Sequence, residues 1–245
     1  MLHSQMRIGF VYLMLGAGAV FGDPGETPYR VVEVEEGGKI AGAVRFAGDY
    51  PPLKYVRVRK DDVVCGTSKL LENYVVNPED GGLANVVVTV EGIAAGKAFA
   101  EARQPMIIQQ ECMYAPHVQV YRPDDTLVVV NTDKVFHNIH TFAGETTLFN
   151  VAHPAKAGNI RRRLDTADVV GVKCDIHDWM SAYLVPVAHP YFAITDKAGR
   201  FEIDRVPPGT YTVRAWHEVI GVLEKSATVA AATTTDVSFA IAAGE

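Results

Sequence analysis

The chain has 245 residues, 48% of them apolar and 21% charged, with 29 acidic against 23 basic side chains and a formal net charge of −6. That length holds one large or two small domains, the apolar share excludes a disordered chain, and the acidic balance argues against nucleic acid as a partner.

The opening MLHSQMRIGFVYLMLGAGAVFGDPG has one cation at Arg7, an apolar run from Ile8 to Phe21 and small residues before Asp23. This is the build of a secretory signal peptide, assigned to residues 1 to 22. An uncleaved anchor is the alternative, but the run is about 14 residues and a spanning helix needs roughly 20. No later stretch is long and apolar enough to cross a membrane, so the expected location is periplasmic or secreted.

Strand signals follow one another from there: YRVVEVE, KIAGAVRFAG, YVRVRK, LANVVVTVEG, MIIQQ, HVQVY, TLVVVNT, FHNIHTF, VVGVKC, FAITD, GRFEI, TYTVRAW and KSATVAA. They are rich in Val, Ile, Thr, Tyr and Phe and are separated by Gly, Pro, Asp or Asn. Only KDDVVCGTSKLLENY has the pattern for a turn or two of helix. Short strands with such punctuation predict an all-β protein built as β-sandwiches.

Two blocks read as parts of one sandwich. The first is GGKIAGAVRFAG with GGLANVVVTVEG; the second is FAITDKAGRFEIDRVPPGTYTVRAWHEVIG. In the second, Asp196 and Gly199 suit a hairpin turn, and Pro207, Pro208 and Gly209 suit a tight loop. The pair resembles the transthyretin-like, carboxypeptidase-regulatory-like β-sandwich family. That resemblance implies a second sandwich inserted in or packed on the first. The first would be built from residues 30–103 and 190–245, and the second from 104–189.

Within the second unit, VKCDIHDWM places Cys174, His177 and Met180 within seven residues. Upstream, NTDKVFHNIHTF starts a strand at His137 after a turn at Asn131, Thr132 and Asp133. A soft thiolate, two imidazoles and a weak thioether match a trigonal His2Cys copper site with an axial Met. Alternation puts His137 and Ile139 on one strand face and Asn138 and His140 on the other, so His140 is not expected to share an ion with His137.

These segments resemble the cupredoxins. MYAPHVQVYRPDDTLVVVNTDKVFHN follows their aromatic-x-Pro strand, turn, Val-rich strand, N-x-D and His-Asn, and CDIHDWM has the short ligand loop of the amicyanin type. The likeness spans about residues 106 to 187. It implies a Greek-key domain holding one type 1 copper per chain on His137, Cys174, His177 and Met180, with Asn138 tying the two ligand segments together. The whole chain is similar to exported proteins of the plastocyanin-like or methylamine-utilization-like kind. Two departures stand out: Asp178 follows His177 where that family has Pro, and Arg122-Pro123-Asp124 replaces a Gly-containing turn.

The expected function is single-electron transfer between redox partner proteins, with His177 as the ligand nearest the surface. Copper affinity should fall as pH drops, because the thiol must deprotonate to bind. Rival readings are a periplasmic copper carrier or store, and a metal-free binding or adhesive module. Cys174 and Met180 could instead be core filler. Cys65 and Cys112 are the expected disulfide, since Cys174 sits among metal-type ligands; two buried free thiols are the alternative. A second metal site could draw on His117, His140, His189 or His217, although hydrogen-bonded histidines at the seam beside Tyr114, Tyr191 and Trp216 are the plainer reading. His153, in HPAKAGNIRRR, reads as part of a solvated loop. Asp196, Glu202 and Asp204 lack a partnered His or nucleophilic Ser, and Gly81-Gly82 precedes a strand, so no enzyme activity is expected.

Overall fold

A computed structural model describes residues 29–100 and 104–241. The segment read as a signal peptide, 1 to 22, lies outside the described residues. The protein is all-β, and two β-sandwiches account for nearly all of its strands.

One sandwich packs a sheet of Phe192–Ile194, Val87–Glu91, Gly209–His217 and Gly221–Val229 on a sheet centred on Gly38–Phe46. Arg200–Val206 pairs antiparallel with Gly38–Phe46, and Thr234–Asp236 and Phe239–Ile241 pair parallel with it. Alternation explains the packing. In Gly209–His217, Val213, Ala215 and His217 point inward while Thr210, Thr212 and Arg214 face out. Val213 and Ala215 join Ile40, Val88, Val90, Phe201 and Phe239 in one core. The expected hairpin at Asp196 forms: its Oδ1 accepts from the amides of Ala198 at 2.8 Å and Arg200 at 2.9 Å, and Gly199 supplies the required positive φ of 70°.

The strands of the other sandwich, between residues 106 and 186, lie in sequence between those two halves. One sheet runs Ile160–Arg163, Thr126–Asn131, Met106–Gln110, Met113–Ala115. The facing sheet runs Thr146–His153, His137–Ala143, Val170–Lys173, Ser181–Pro186, Val118–Tyr121. Ile107, Tyr114, Leu127, Val129, Ile139, Val172 and Leu184 fill the space between them.

HPAKAGNIRRR is not the expected solvated loop throughout. His153 ends strand Thr146–His153 and is buried, and Ile160–Arg163 is an edge strand antiparallel to Thr126–Asn131. The neighbouring strand supplies the hydrogen bonds that the sequence pattern did not advertise, and three arginines on an outer strand discourage further pairing. YRVVEVE gives only the short strand Arg30–Val31, paired with Ala95–Gly96.

The larger departure concerns residues 54–71, which the sequence assigns to the first sandwich. They form a strap over the second. Tyr55–Arg57 pairs antiparallel with Ser68–Leu70, and between them Asp62–Cys65 makes a single helical turn. Val58 and Cys65 are buried in the second sandwich's core, with Val56 and Leu71 packed against it. Cys65 and Cys112 are disulfide-bonded, as expected. The two sandwiches meet along Val87, Val118 and Val185, with Tyr183 and Trp216 rings 5.7 Å apart.

Candidate metal centre

His137 stands at the first position of strand His137–Ala143, and the turn before it is fixed by Asn131. The Asn131 Oδ1 accepts from the Asp133 amide at 2.9 Å, and its Nδ2 donates to the carbonyls of Val135 at 3.1 Å and His153 at 2.9 Å. This leaves the Asp133 carboxylate accepting from the amides of Glu111 at 2.7 Å and Cys112 at 2.8 Å, and from His137 Nε2 at 2.8 Å.

The second ligand segment leaves strand Val170–Lys173 at Cys174 and closes on itself. The Met180 amide donates to the His177 carbonyl at 3.0 Å, and the Cys174 amide to the Met180 carbonyl at 3.3 Å. Asn138 joins the segments as the cupredoxin likeness implied: its Oδ1 accepts from the Asp175 amide at 2.8 Å and lies 3.2 Å from Cys174 Sγ. Its Nδ2 donates to Asn150 Oδ1 at 2.7 Å and Asp175 Oδ2 at 3.0 Å.

Three of the four expected ligands therefore converge. The ligand atoms of His137, Cys174 and His177 all lie within 4.8 Å of one another. His137 Nδ1 is 3.0 Å from His177 Nδ1, which is 3.9 Å from Cys174 Sγ. Met180, 1% exposed, packs in the same core cluster as Cys174 and Trp179. The ligand atoms of Cys112, Asp133 and His137 also lie within 4.8 Å of one another, but the Cys112 sulfur is taken by the disulfide.

His177 corrects the expected exposure. It is wholly buried, because the strap covers this pole of the sandwich. Its Nε2 is 3.0 Å from the Oδ2 of Asp61, a residue 116 positions away. The carboxylate facing His177 is thus Asp61 rather than its neighbour Asp178, which is exposed. Trp179 also belongs under the strap: its indole donates to the Cys112 carbonyl at 2.8 Å, and its ring lies 5.0 Å from that of His177.

The two carboxylates set the chemistry of the pair. A carboxylate oxygen accepts, so Nε2 is the donor on each ring and each Nδ1 presents a lone pair. Burial lowers the pKa of His137; its hydrogen bond to Asp133 opposes this, and His177 lowers it further. Two imidazole Nδ1 atoms 3.0 Å apart beside a thiol sulfur call for either a shared proton or a metal ion between them. The residues present thus fit a soft metal ion of the copper or zinc kind.

The histidines considered for a second site do not converge on one. No group of three or more His, Cys, Asp or Glu ligand atoms among the described residues includes His117, His140, His189 or His217. His140 faces the strand side that alternation assigned, pairing with Asp175 at 3.0 Å and Thr147 at 2.9 Å. His117 pairs with Glu218 and lies 3.1 Å from the Ser181 carbonyl. His217 stacks on Tyr74, and burial pushes its pKa down to about 4. His189 lies between Tyr29 and Tyr191, at 5.7 Å and 5.8 Å. His117, paired with Glu218 of the first sandwich, is a histidine of the seam, whereas His217, stacked on Tyr74, sits with Tyr191 on the first core's side and Tyr114 lies in the second core.

A family model described as domain II of polysaccharide lyase family 4 matches residues 168–237, which run from the last strands of the second sandwich into the first. No curated protein matches the chain. Among solved structures the chain is similar to a purple cupredoxin from Nitrosopumilus maritimus, with a TM-score of 0.31 and 19% identity over 34% of this chain and 99% of that one. It is similar to a Cu(I) structure of a methionine-to-alanine mutant of amicyanin, with a TM-score of 0.30 and 18% identity over 41% of this chain and 98% of that one. An oxidised proline-to-glycine mutant of amicyanin gives 0.31 and 21% identity, over 37% and 90%. The ligand geometry stands independently of these likenesses.

Proposed function

We propose that the protein is an exported, mononuclear copper protein of the cupredoxin kind that passes single electrons between redox partner proteins and catalyses no bond chemistry of its own. The observation that carries this reading is the convergence of His137, Cys174 and His177, from two segments of chain, with their Nδ1, Sγ and Nδ1 atoms turned toward one another. Bound copper would supply a one-electron couple. The chain's own part is to hold two imidazoles in the tautomer that frees Nδ1, to present the Cys174 thiolate between them, and to exclude water. Met180, buried in the same cluster, would supply a weak thioether ligand. The regulatory-like sandwich would serve as the frame on which this unit is mounted.

Export is supported by the Cys65–Cys112 disulfide, which persists in oxidising compartments. No helix among the described residues is long and apolar enough to cross a membrane. The carrier reading draws less support. A labile carrier needs an accessible ion, and all three converging residues are buried, with His177 beneath the strap.

The test is reconstitution of the full chain with one equivalent of Cu(II), followed by visible absorption and paramagnetic resonance. An intense thiolate-to-copper band is expected, and Cys174→Ser should abolish it. A coloured Cys174→Ser protein, or a parent that retains no copper, refutes the reading.

A further inference from the structure

The strap that covers the metal centre also reaches into it. Residues 54–71 are fastened at two levels: Val58 and Cys65 are buried in the second sandwich's core, and the Cys65–Cys112 disulfide ties the strap to the turn after strand Met106–Gln110. Asp61 stands between these anchors. Its backbone adopts φ 57°, and the amides of Val64 and Cys65 donate to its carbonyl at 2.9 Å and 2.8 Å. That conformation turns its carboxylate onto His177 Nε2 at 3.0 Å. Asp133 makes the equivalent contact on His137 Nε2 at 2.8 Å, but from four residues away on its own sandwich. The centre is therefore flanked by two carboxylate–imidazole pairs, one local and one delivered from another part of the chain.

We propose that Asp61 is a positioning residue of the metal centre. Acting through His177, it fixes the ring with Nδ1 toward Cys174 and stabilises the more positive state of a bound metal. This rests on the reading of the centre as a copper site. The physical basis is general: a carboxylate on the outer nitrogen of a ligating imidazole sets the tautomer and ring orientation and raises its basicity, and loss of such a partner costs roughly 10- to 100-fold in metal affinity. A more basic imidazole and a nearby negative charge both favour Cu(II) over Cu(I).

The αL backbone at Asp61 selects the variants. Asn and Gly both accept a positive φ, so Asp61→Asn and Asp61→Gly remove the charge, and in the second case the acceptor, without forcing the strap from its path. The parent and both variants, as full chains with the disulfide intact, are compared in three ways. First, the ring nitrogens of His177 in the metal-free protein are observed by nitrogen-15 resonance, where the parent should carry its proton on Nε2 and Asp61→Gly should lose that preference. Second, Cu(II) and Cu(I) affinities are measured, where Asp61→Asn should weaken Cu(II) relative to Cu(I) about tenfold. Third, the reduction potential should rise by the matching amount, about 59 mV for a one-electron couple. A merely structural strap residue would change the melting temperature and leave the potential where it was.

The outcomes separate the two ideas. A parent without the thiolate-to-copper band overturns the copper reading and this inference together. A coloured parent whose potential and Cu(II)-to-Cu(I) affinity ratio are unmoved in both variants overturns the positioning role alone. A rise in potential with unchanged melting temperature supports it.

Discussion

Replacing Cys65 and Cys112 together by Ser tests how the strap is held. The cross-link closes a loop with a sequence separation of 47. Loop-closure entropy for a ring of that size corresponds to about 4 kcal/mol of stability at room temperature. That is a large part of the 5–15 kcal/mol typical of a folded domain, so the double variant should unfold at a much lower urea concentration. The strap has a second route open to it. Its own grip on the sandwich is chiefly the buried Val58, with Val56 and Leu71 half-buried beside it, and fully burying one such side chain stabilises by about 1.5–3 kcal/mol. Without the bond, local opening of the strap therefore becomes easier than global unfolding. Hydrogen exchange resolves the two. The amides of Val58 and Cys65, bonded to the carbonyls of Thr67 and Asp61, should drop from near-global protection to a low local value, while amides of Val128 and Val129 should follow the global change. An unmoved urea midpoint at unchanged slope refutes the loop-closure estimate. Strap amides that keep the parent's protection refute the claim that the bond holds the strap down.

Two further predictions concern buried histidines. Burial holds His217 down to about 4 against an ordinary 6.5, so the unfolded chain binds a proton that the folded protein refuses between those values. Stability should fall as pH drops from 6.5 to 4, by about 3 kcal/mol in all, and a His217→Phe variant should show a correspondingly flatter profile in urea titrations at pH 7 and 4.5. His117 goes the other way. Burial lowers its pKa, but the hydrogen bond and charge of Glu218, with Glu72 and the Ser181 carbonyl, outweigh this and leave it raised. Its contribution is complete below the unfolded value and is lost as pH rises through the folded one. Glu218→Gln should therefore lower the melting temperature more at pH 5.5 than at pH 8.5; equal losses at both would count against a charged pair.

The parts of this protein legible in sequence are those whose cause is local. The three-residue spacing of Cys174, His177 and Met180, and the placement of His137 after an Asn131–Asp133 turn, express the geometry of a strand end and a short loop, and both formed as read. The strand faces of His137 and His140 followed from a period of two. Strand Ile160–Arg163 was hidden because three of its four residues are arginines; an edge strand in this position needs a partner's hydrogen bonds and little apolar surface. Asp61 was hidden for a different reason. Nothing near it resembles a ligand motif, and its approach to His177 depends on a disulfide four residues downstream that carries the strap across the pole. The one available signal was the pairing of Cys65 with Cys112, which forces residues near 61 onto the sandwich that holds the metal-type ligands.

The burial of His177 also separates two kinds of traffic that an open pole would allow together. A metal ion bound there as proposed would leave only if the strap lifted or the Cys174–Met180 loop opened, since each converging residue is 3% exposed or less. An electron needs no such opening, because it crosses packed atoms. Sealing such a centre would therefore slow metal exchange far more than electron exchange, and it would remove the water whose reorientation accompanies each change of charge. If the centre holds copper as proposed, the strap biases it toward electron transfer and against carriage. The double Ser variant, by loosening the strap while leaving His137, Cys174 and His177 intact, should speed loss of copper to a chelator. If loss to the chelator is equally fast in parent and variant, the strap is not the seal.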